Sequence, residues 1–239
     1  MTISFEEAWA RSESVEGWLT REQGEALFVA AGTVRPGYAA VEIGSHHGKS
    51  AILIAGNLPE GVSLTAVDPF DDPRWGGGTD SLDAFRRNIA AADLGERIEL
   101  FRGLSEDASR SWKGPLVSFL WVDGAHDLES TLKDFDGWMP HMAPGGLIYV
   151  HDAFSAVGTT RAIFERFWGS RTIEYLGCER SLAQFRVRRL SPLGQLSSGL
   201  RMLPRLVFFT RMIAIKVSRR RGWHSLERRF MRVENEPLI

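Results

Sequence analysis

The sequence of 239 residues contains a single cysteine, Cys178, so no disulfide bond can form within the chain. It also contains no run of about 18 apolar residues, the length that a membrane-spanning helix needs. The N-terminus carries acidic residues where a signal peptide has basic residues followed by an apolar run. These absences predict a cytoplasmic protein.

The chain has almost no net charge, with 29 Lys and Arg against 30 Asp and Glu. Its 44% hydrophobic and 25% charged residues are typical of a globular protein and exclude a disordered or collagen-like chain. The charge is unevenly placed, because residues 186–239 hold 13 basic and 3 acidic side chains. An acidic body with a basic tail is therefore expected.

Short apolar segments alternate with longer amphipathic segments, which is typical of strands and helices in a parallel sheet. The predicted strands are 38–43, 62–68, 98–102, 116–123, 146–151, 172–176 and 182–187. The predicted helices are 4–11, 20–31, 48–57, 80–92, 105–112, 128–139 and 155–168. The last two strands are joined without a helix and predict an antiparallel hairpin. We therefore predict an α/β, doubly wound, Rossmann-like seven-stranded sheet over residues 37–190, with N-terminal helices in 1–36 and a helical basic tail in 191–239.

The first strand is followed by a loop with two glycines, Gly44 and Gly48, and Ser50 lies at the start of the next helix. Such a turn lets a nucleoside or an anion approach the backbone. A phosphate-binding loop needs four residues between its glycines, and this loop has three. A dinucleotide fingerprint is excluded because positions 46 and 49 are His and Lys. The loop is either a cofactor-binding turn or simply a tight turn.

Polar residues also follow the second and third strands. Asp68 ends the second strand, where its carboxylate can accept both hydroxyls of a ribose or can act as an ordinary cap or turn residue. Ser105 follows the third strand and either flanks an adenine ring or caps the next helix.

Acids and histidines follow the fourth and fifth strands, as Asp123 with His126 and as His151 with Asp152. The carboxyl ends of neighbouring parallel strands meet at one edge of a sheet, so these side chains are expected to converge. Carboxylate oxygens favour a hard cation such as Mg²⁺, and imidazole also admits a transition metal. The sequence predicts a metal site at this edge.

Four motifs together resemble those of the class I S-adenosylmethionine-dependent methyltransferases. Within them, the metal-dependent O-methyltransferases that include macrocin-type sugar methyltransferases and cephalosporin-hydroxylase-like proteins are the most similar branch. The motifs are Glu-Ile-Gly-Ser-His-His-Gly-Lys-Ser at 42–50, Val-Asp-Pro at 67–69, Val-Asp-Gly-Ala-His-Asp at 122–127 and Gly-Gly-Leu-Ile-Tyr-Val-His-Asp at 145–152.

The resemblance implies a role for each matching residue. Glu42 would lie near the methionine amino group of the cofactor, Asp68 would bind its ribose, and His126 would be the general base. Asp123 and Asp152 would bind the metal ion. His151 departs from the macrocin type, which has an acid there, so it stays open as metal ligand, base or supporting group. The implied cofactor-binding set is Glu42, Gly44, Ser45, Gly48, Ser50, Asp68, Ser105 and Asp123.

These expectations describe a Mg²⁺-assisted O-methyltransferase that uses S-adenosylmethionine and acts on a hydroxyl of a sugar or a glycosylated metabolite. A metal bound to two vicinal oxygens would make the attacking one more anionic, and an imidazole can take up its proton near neutral pH. A catechol-like acceptor would use the same chemistry. A non-catalytic, membrane-associated cofactor-binding protein is a second alternative.

Two segments outside these motifs carry further expectations. The Gly-rich loop between Phe70 and Asp80 predicts a lid in which Trp75 stacks on a sugar or covers the cofactor, or else an ordinary surface loop. Residues 201–219 predict a basic amphipathic helix. That helix packs on the body or on a second subunit, contacts a membrane surface, or binds a polyanion. A homodimer is expected from the resemblance, and no nucleic-acid partner is expected.

Overall fold

The computed structural model of the protein describes residues 2–70, 78 and 80–221. Its strands are β1 Ala39–Ile43, β2 Leu64–Asp68, β3 Ile98–Arg102, β4 Val117–Val122, β5 Met142–Val150, β6 Ile173–Glu179 and β7 Leu182–Val187. Its α-helices are α1 Phe5–Glu13, α2 Arg21–Ala31, α3 Lys49–Asn57, α4 Ser81–Ala91, α5 Ser105–Ser111, α6 Leu128–Trp138, α7 Val157–Phe167, α8 Pro192–Leu200 and α9 Arg205–Arg220. The predicted lid residue Trp75 lies outside the described residues.

The seven strands form one sheet in the order β3-β2-β1-β4-β5-β7-β6. β1 to β5 pair in parallel, and β7 pairs antiparallel with both β5 and β6. The predicted fold, including the antiparallel C-terminal hairpin, is confirmed. This order places the carboxyl ends of β1 and β4, the two central parallel strands, beside each other.

Helices cover both faces of the sheet, which explains why the central strands are apolar throughout rather than alternating. All five residues of β1 are buried. Ala40 packs in one core cluster with α2 and α3, whereas Val41 and Ile43 pack in the other cluster with α6 and α7. The polar Glu42 lies within this buried strand and is the exception to its apolar character.

Two strands are longer than predicted. β5 begins at Met142 rather than at 146, because Val117 pairs with Met142 and Phe119 with Leu147. The residues between these pairs loop out, so Pro144 interrupts no ladder. β6 runs to Glu179 through an irregularity after Tyr175, although the sequence pattern placed residues 177–180 between the two strands.

The basic tail also differs from the prediction of one helix over 201–219. It forms two helices, α8 and α9, separated by turns at 201–204. Ser191 caps α8 by accepting a hydrogen bond from the N–H of Gly194, and Pro192 occupies the first helical position. Both residues are ordinary start signals of a helix, so the sequence carried the information for α8.

The expected packing of the tail on the body is observed for α9. Ile215 and Ser218 are buried, and Phe208 and Phe209 pack against the core cluster that contains α6 and α7. Five leucines in the described part of the tail are exposed, and we call them the exposed leucine stripe: Leu193, Leu196, Leu200, Leu203 and Leu206. Within the described part of the chain, no helix is both long and apolar enough to cross a membrane.

Candidate functional site

The loop after β1 is as tight as its glycines predict. Gly44 has φ +85°, and a Cβ there would lie 2.1 Å from the carbonyl oxygen of Asp123. Only glycine therefore allows β1 and β4 to end so close together. Gly48 has φ +92° and precedes α3, whose N-terminus is capped by no described side chain. The first N–H groups of α3 are therefore available to a polar ligand.

Glu42 lies in β1, two residues before Gly44, and carries a buried carboxyl group. Its carboxylate is completely buried, and neither oxygen makes a hydrogen bond with a described residue. The hydroxyl of Ser45 is buried and unpartnered in the same way. Burial raises the pKa of Glu42 to about 8, although the nearby hydroxyls of Ser50 and Ser45 favour its charged form. A buried carboxylate without a protein partner fits a cationic ligand group.

Asp68 connects the loops that follow β1 and β2. One carboxylate oxygen accepts a hydrogen bond from the N–H of His46 at 2.9 Å, and the other accepts one from the N–H of Phe70 at 2.6 Å. Burial raises the pKa of Asp68, and these backbone hydrogen bonds oppose the shift. Since each carboxylate oxygen has two lone pairs, the side chain can still accept hydroxyl groups from a ligand in the cleft.

Ser105 is not the helix cap, which was one of its two interpretations, but it lines the cleft, so the position beside an adenine ring stays a prediction. It is the first residue of α5 rather than the cap, which is Leu104. Its hydroxyl oxygen accepts a hydrogen bond from the indole N–H of Trp138 at 2.9 Å. Asp134 lies beside Ser105 and lines the cleft, and burial raises the pKa of Asp134 to about 7. Ser105 thus contributes to a small polar wall that the single-residue pattern did not reveal.

The acids and histidines after β4 and β5 converge as predicted. Nδ1 of His151 donates a hydrogen bond to Oδ1 of Asp123 at 2.9 Å. Nε2 of His126 lies 3.6 Å from Oδ1 of Asp123 and 3.7 Å from Oδ2 of Asp152. Asp123, His126 and His151 bring one potential metal-ligand atom each within 4.8 Å of one another. The four side chains therefore form one cluster, which we call the β4–β5 cluster.

The backbone and the charges of this cluster are both unusual. His126 and Asp152 have φ of +58° and +50°, values that residues other than glycine rarely adopt and that concentrate at functional sites. Burial by itself lowers the pKa of His151, but the charge and hydrogen bond of Asp123 and the charge of Asp152 outweigh it. The pKa of His151 is thereby raised to about 8. His151 and Asp123 thus form a charge-assisted pair at neutral pH.

Local structure fixes where His126 and Asp152 lie. Asp127 caps α6 by accepting a hydrogen bond from the N–H of Ser130 at 2.9 Å, so the helix begins at Leu128, two residues after His126. Asp152 accepts a hydrogen bond from the hydroxyl of Ser155 at 2.7 Å. The carbonyl oxygen of Ser155 in turn accepts one from Nζ of Lys216 at 2.8 Å. A helix of the tail therefore reaches the site.

The loop after β1, Asp68, Ser105, Asp134 and the β4–β5 cluster line one cleft of about 1380 Å³, and Glu42 is buried behind this lining. This volume exceeds the several hundred Å³ typical of a site for one small molecule. Sequence reasoning missed two of its walls. One is the segment before α2, in which the ring of Trp18 lies 5.5 Å from that of His46. The other is α9, which contributes Arg205, Phe208, Arg211, Met212 and Lys216.

Comparison with known proteins finds a similarity over part of the chain. Residues 41–153 match the family model described as a methyltransferase domain. This segment is therefore similar to a methyltransferase domain. The matched segment runs from the middle of β1 to just beyond β5, and it contains every residue that the sequence predicted for the site. The two walls that were missed lie outside it.

Solved structures of the same fold are also similar to this chain. An O-methyltransferase from Bacillus cereus, in complex with SAH, is 19% identical, with a TM-score of 0.58 over 77% of this chain and 90% of that chain. The O-methyltransferase TomG from Streptomyces achromogenes, involved in tomaymycin synthesis and in complex with SAM, is 16% identical. Its TM-score is 0.59, over 78% of this chain and 88% of that chain. At these identities the likeness concerns the fold alone.

Proposed function

We propose that the protein is an S-adenosylmethionine-dependent O-methyltransferase that binds a divalent cation and methylates a carbohydrate hydroxyl. The observation that carries this proposal is that the β4–β5 cluster lines the cleft while the unpartnered carboxylate of Glu42 is buried in β1, next to Ile43 and Gly44, which line the same cleft. The Glu42 carboxylate can pair with a cationic amino group of a cofactor. The β4–β5 cluster can take up the proton that an acceptor hydroxyl must lose.

The residues around the loop after β1 fit the cofactor. Glu42 would accept hydrogen bonds from the amino group of its methionine part, and the free N–H groups of α3 suit its carboxylate. Asp68 has lone pairs left for the ribose hydroxyls, and Ser105 with Asp134 lines the wall beyond β3. When bound, the cofactor supplies a methyl group on a sulfonium, which is a good leaving group. The protein therefore has to align the acceptor oxygen and remove its proton.

The β4–β5 cluster fits a divalent cation of mixed ligand preference. Asp123 offers an oxygen atom and His126 and His151 offer nitrogen atoms within 4.8 Å of one another, and the carboxylate of Asp152 lies 3.7 Å from His126, so Mn²⁺ or another transition metal is as well suited as Mg²⁺. We assign Asp123, Asp152 and His151 to holding the ion and orienting its ligands. A bound ion would polarise the acceptor oxygen. His126, which is about one-third exposed to the cleft, is the group placed to take the proton.

A sugar hydroxyl is the acceptor that the sequence motifs favour. The cleft has room for both a cofactor and an acceptor, and Trp18 offers an exposed aromatic face of the kind that stacks on sugar rings. A catechol would use the same cluster. A screen of sugars, glycosides and catechols for S-adenosylhomocysteine release, with Mg²⁺ and with Mn²⁺, separates these acceptor classes.

The cofactor part of the proposal is tested by calorimetric titration with S-adenosylhomocysteine. The wild type is expected to bind, and Asp68→Asn is expected to bind about 100-fold more weakly because two hydrogen bonds to a carboxylate are each worth about 1.5 kcal/mol or more. Asp136→Asn is the matched control, since Asp136 lies outside the cleft and pairs with Arg166. Absence of binding by the wild type would refute the proposed function.

The expected homodimer remains a proposal, and the exposed leucine stripe supports it. Leu196 and Leu200 are both more than 45% exposed, which is unusual for neighbouring leucines on one helix face. Light scattering is expected to give twice the chain mass of 26.7 kDa for the wild type. The Leu196→Glu/Leu200→Glu variant should give the single mass. Equal masses for both proteins would remove the stripe as the dimer contact, and sedimentation with anionic liposomes would then test the membrane alternative.

A further inference from the structure

Helix α9 lines one side of the cleft, and the loops after β1, β2 and β3 line another side. In the sheet order, β1, β2 and β3 lie in one half, whereas α9 contacts β6 and the loop after β5 in the other half, through Arg205 and Lys216. Its cleft-lining residues Arg205, Phe208, Met212 and Lys216 are spaced by three or four positions and therefore share one helix face. This wall borders the space next to the β4–β5 cluster.

Two cations of this wall have fixed positions, and the nearest acidic influence, that of Asp152 on Lys216, is not an ion pair within 4.0 Å. The guanidinium of Arg205 donates a hydrogen bond to the carbonyl oxygen of Cys178, at the end of β6. Nζ of Lys216 donates to the carbonyl oxygen of Ser155, the residue whose hydroxyl binds Asp152. Among the described residues, no carboxylate forms an ion pair with either side chain within 4.0 Å. Their charges are held in place by backbone carbonyls and remain available to an anion.

The wall also has an apolar part between these charges. Phe208 and Met212 lie on the same helix face between Arg205 and Lys216 and line the cleft. A ligand that satisfies this face has an anionic group at the cations and a ring or carbon chain against the apolar side chains. A phosphate ester of a sugar fits this description, because guanidinium and ammonium groups both bind phosphate oxygens well.

We propose that the face of α9 formed by Arg205, Phe208, Met212 and Lys216 is a phosphate-binding subsite, and that the methyl acceptor is a phosphorylated compound. This proposal rests on the proposed function, since it takes the space beside the β4–β5 cluster to be the acceptor site. It assigns the basic tail a role in acceptor selection. The acceptor hydroxyl lies at the cluster and the phosphate at α9.

The test uses inorganic pyrophosphate as the probe, titrated calorimetrically into the full-length chain saturated with S-adenosylhomocysteine in metal-free buffer. Bound S-adenosylhomocysteine occupies the loop after β1, so pyrophosphate cannot bind there. Without metal ions in the buffer, pyrophosphate cannot bind through a chelated metal at the β4–β5 cluster. The wild type is expected to bind one pyrophosphate. Lys216→Gln, at an exposed position that tolerates substitution, should weaken binding about tenfold, and Arg205→Gln/Lys216→Gln should weaken it further.

Arg220→Gln is the matched control, because Arg220 lies on the same helix, is exposed and does not line the cleft. It should leave pyrophosphate affinity unchanged, and all variants should keep the wild-type affinity for S-adenosylhomocysteine. No saturable binding by the wild type, or equal weakening by Arg220→Gln, would overturn the subsite in favour of diffuse attraction to the basic helix. Failure of S-adenosylhomocysteine binding would instead refute the proposed function, and the two results are recorded in separate titrations.

Discussion

Replacing His126 by alanine is expected to lower turnover by about 10²- to 10⁴-fold, the usual contribution of a general base. Affinity for S-adenosylhomocysteine should be unchanged, because His126 lies at the β4–β5 cluster and not in the loop after β1. Its Nε2 is within 3.7 Å of carboxylate oxygens of both Asp123 and Asp152, so it borders the place where an acceptor oxygen would be held. The measurement is kcat with an acceptor found by the screen.

The same variant distinguishes a base from a metal ligand, since His126 also belongs to the group that can hold a cation. If His126 is the base, kcat falls and the concentration of Mn²⁺ that gives the half-maximal rate stays the same. If it is a ligand, that concentration rises. His141→Ala is the control, because His141 interacts with the carbonyl oxygen of Ser109 and does not line the cleft. Wild-type turnover in His126→Ala would remove His126 from the mechanism.

The fold and the β4–β5 cluster were predictable from sequence for a simple geometric reason. Parallel strands that follow one another along the chain end at the same edge, and Ile43 pairs with both Val67 and Val122. A residue placed one position after such a strand is therefore located in space by the strand alone. Asp123 and His151 satisfy this condition, and Asp68 is itself the last residue of β2.

The walls formed by α9 and by the segment before α2 were not predictable in this way. The pattern of α9 showed that it has a basic side and an apolar side, but the body against which it packs depends on tertiary contacts such as that of Lys216 with Ser155. The partner of Ser105 was hidden for a related reason. Trp138 lies 33 positions further along the chain, on another helix, and no local spacing connects the two.

Glu42 is the residue for which the largest effect on stability is expected. The unfolded chain releases its proton near pH 4.5, whereas the folded protein holds the proton up to about pH 8. Between these values the unfolded state binds fewer protons, so stability falls as pH rises. At 1.36 kcal/mol for each unit of pKa, this group costs on the order of 5 kcal/mol above pH 8. Glu42→Gln cannot ionise and should remove that cost.

Urea unfolding of wild type and Glu42→Gln from pH 5 to pH 8.5 measures the effect. The stability difference between them should grow with pH in favour of the variant, while Glu25→Gln, an exposed control on α2, should follow the wild type. A constant difference across this range would contradict the buried, protonated Glu42.

The same protonation predicts a proton release when the cofactor product binds. At pH 7, Glu42 is protonated in roughly nine of ten molecules, given its pKa of about 8. Pairing with the amino group of S-adenosylhomocysteine requires the carboxylate, so binding should release about one proton. The binding enthalpy should then vary with the ionisation enthalpy of the buffer for the wild type and not for Glu42→Gln.

The Glu42→Gln variant should also bind S-adenosylhomocysteine about tenfold or more weakly, because it loses a charge-assisted hydrogen bond. Buffer-independent enthalpies for the wild type would show that Glu42 does not receive the amino group, and the cofactor would then have to be anchored through Asp68 and the N-terminus of α3 alone.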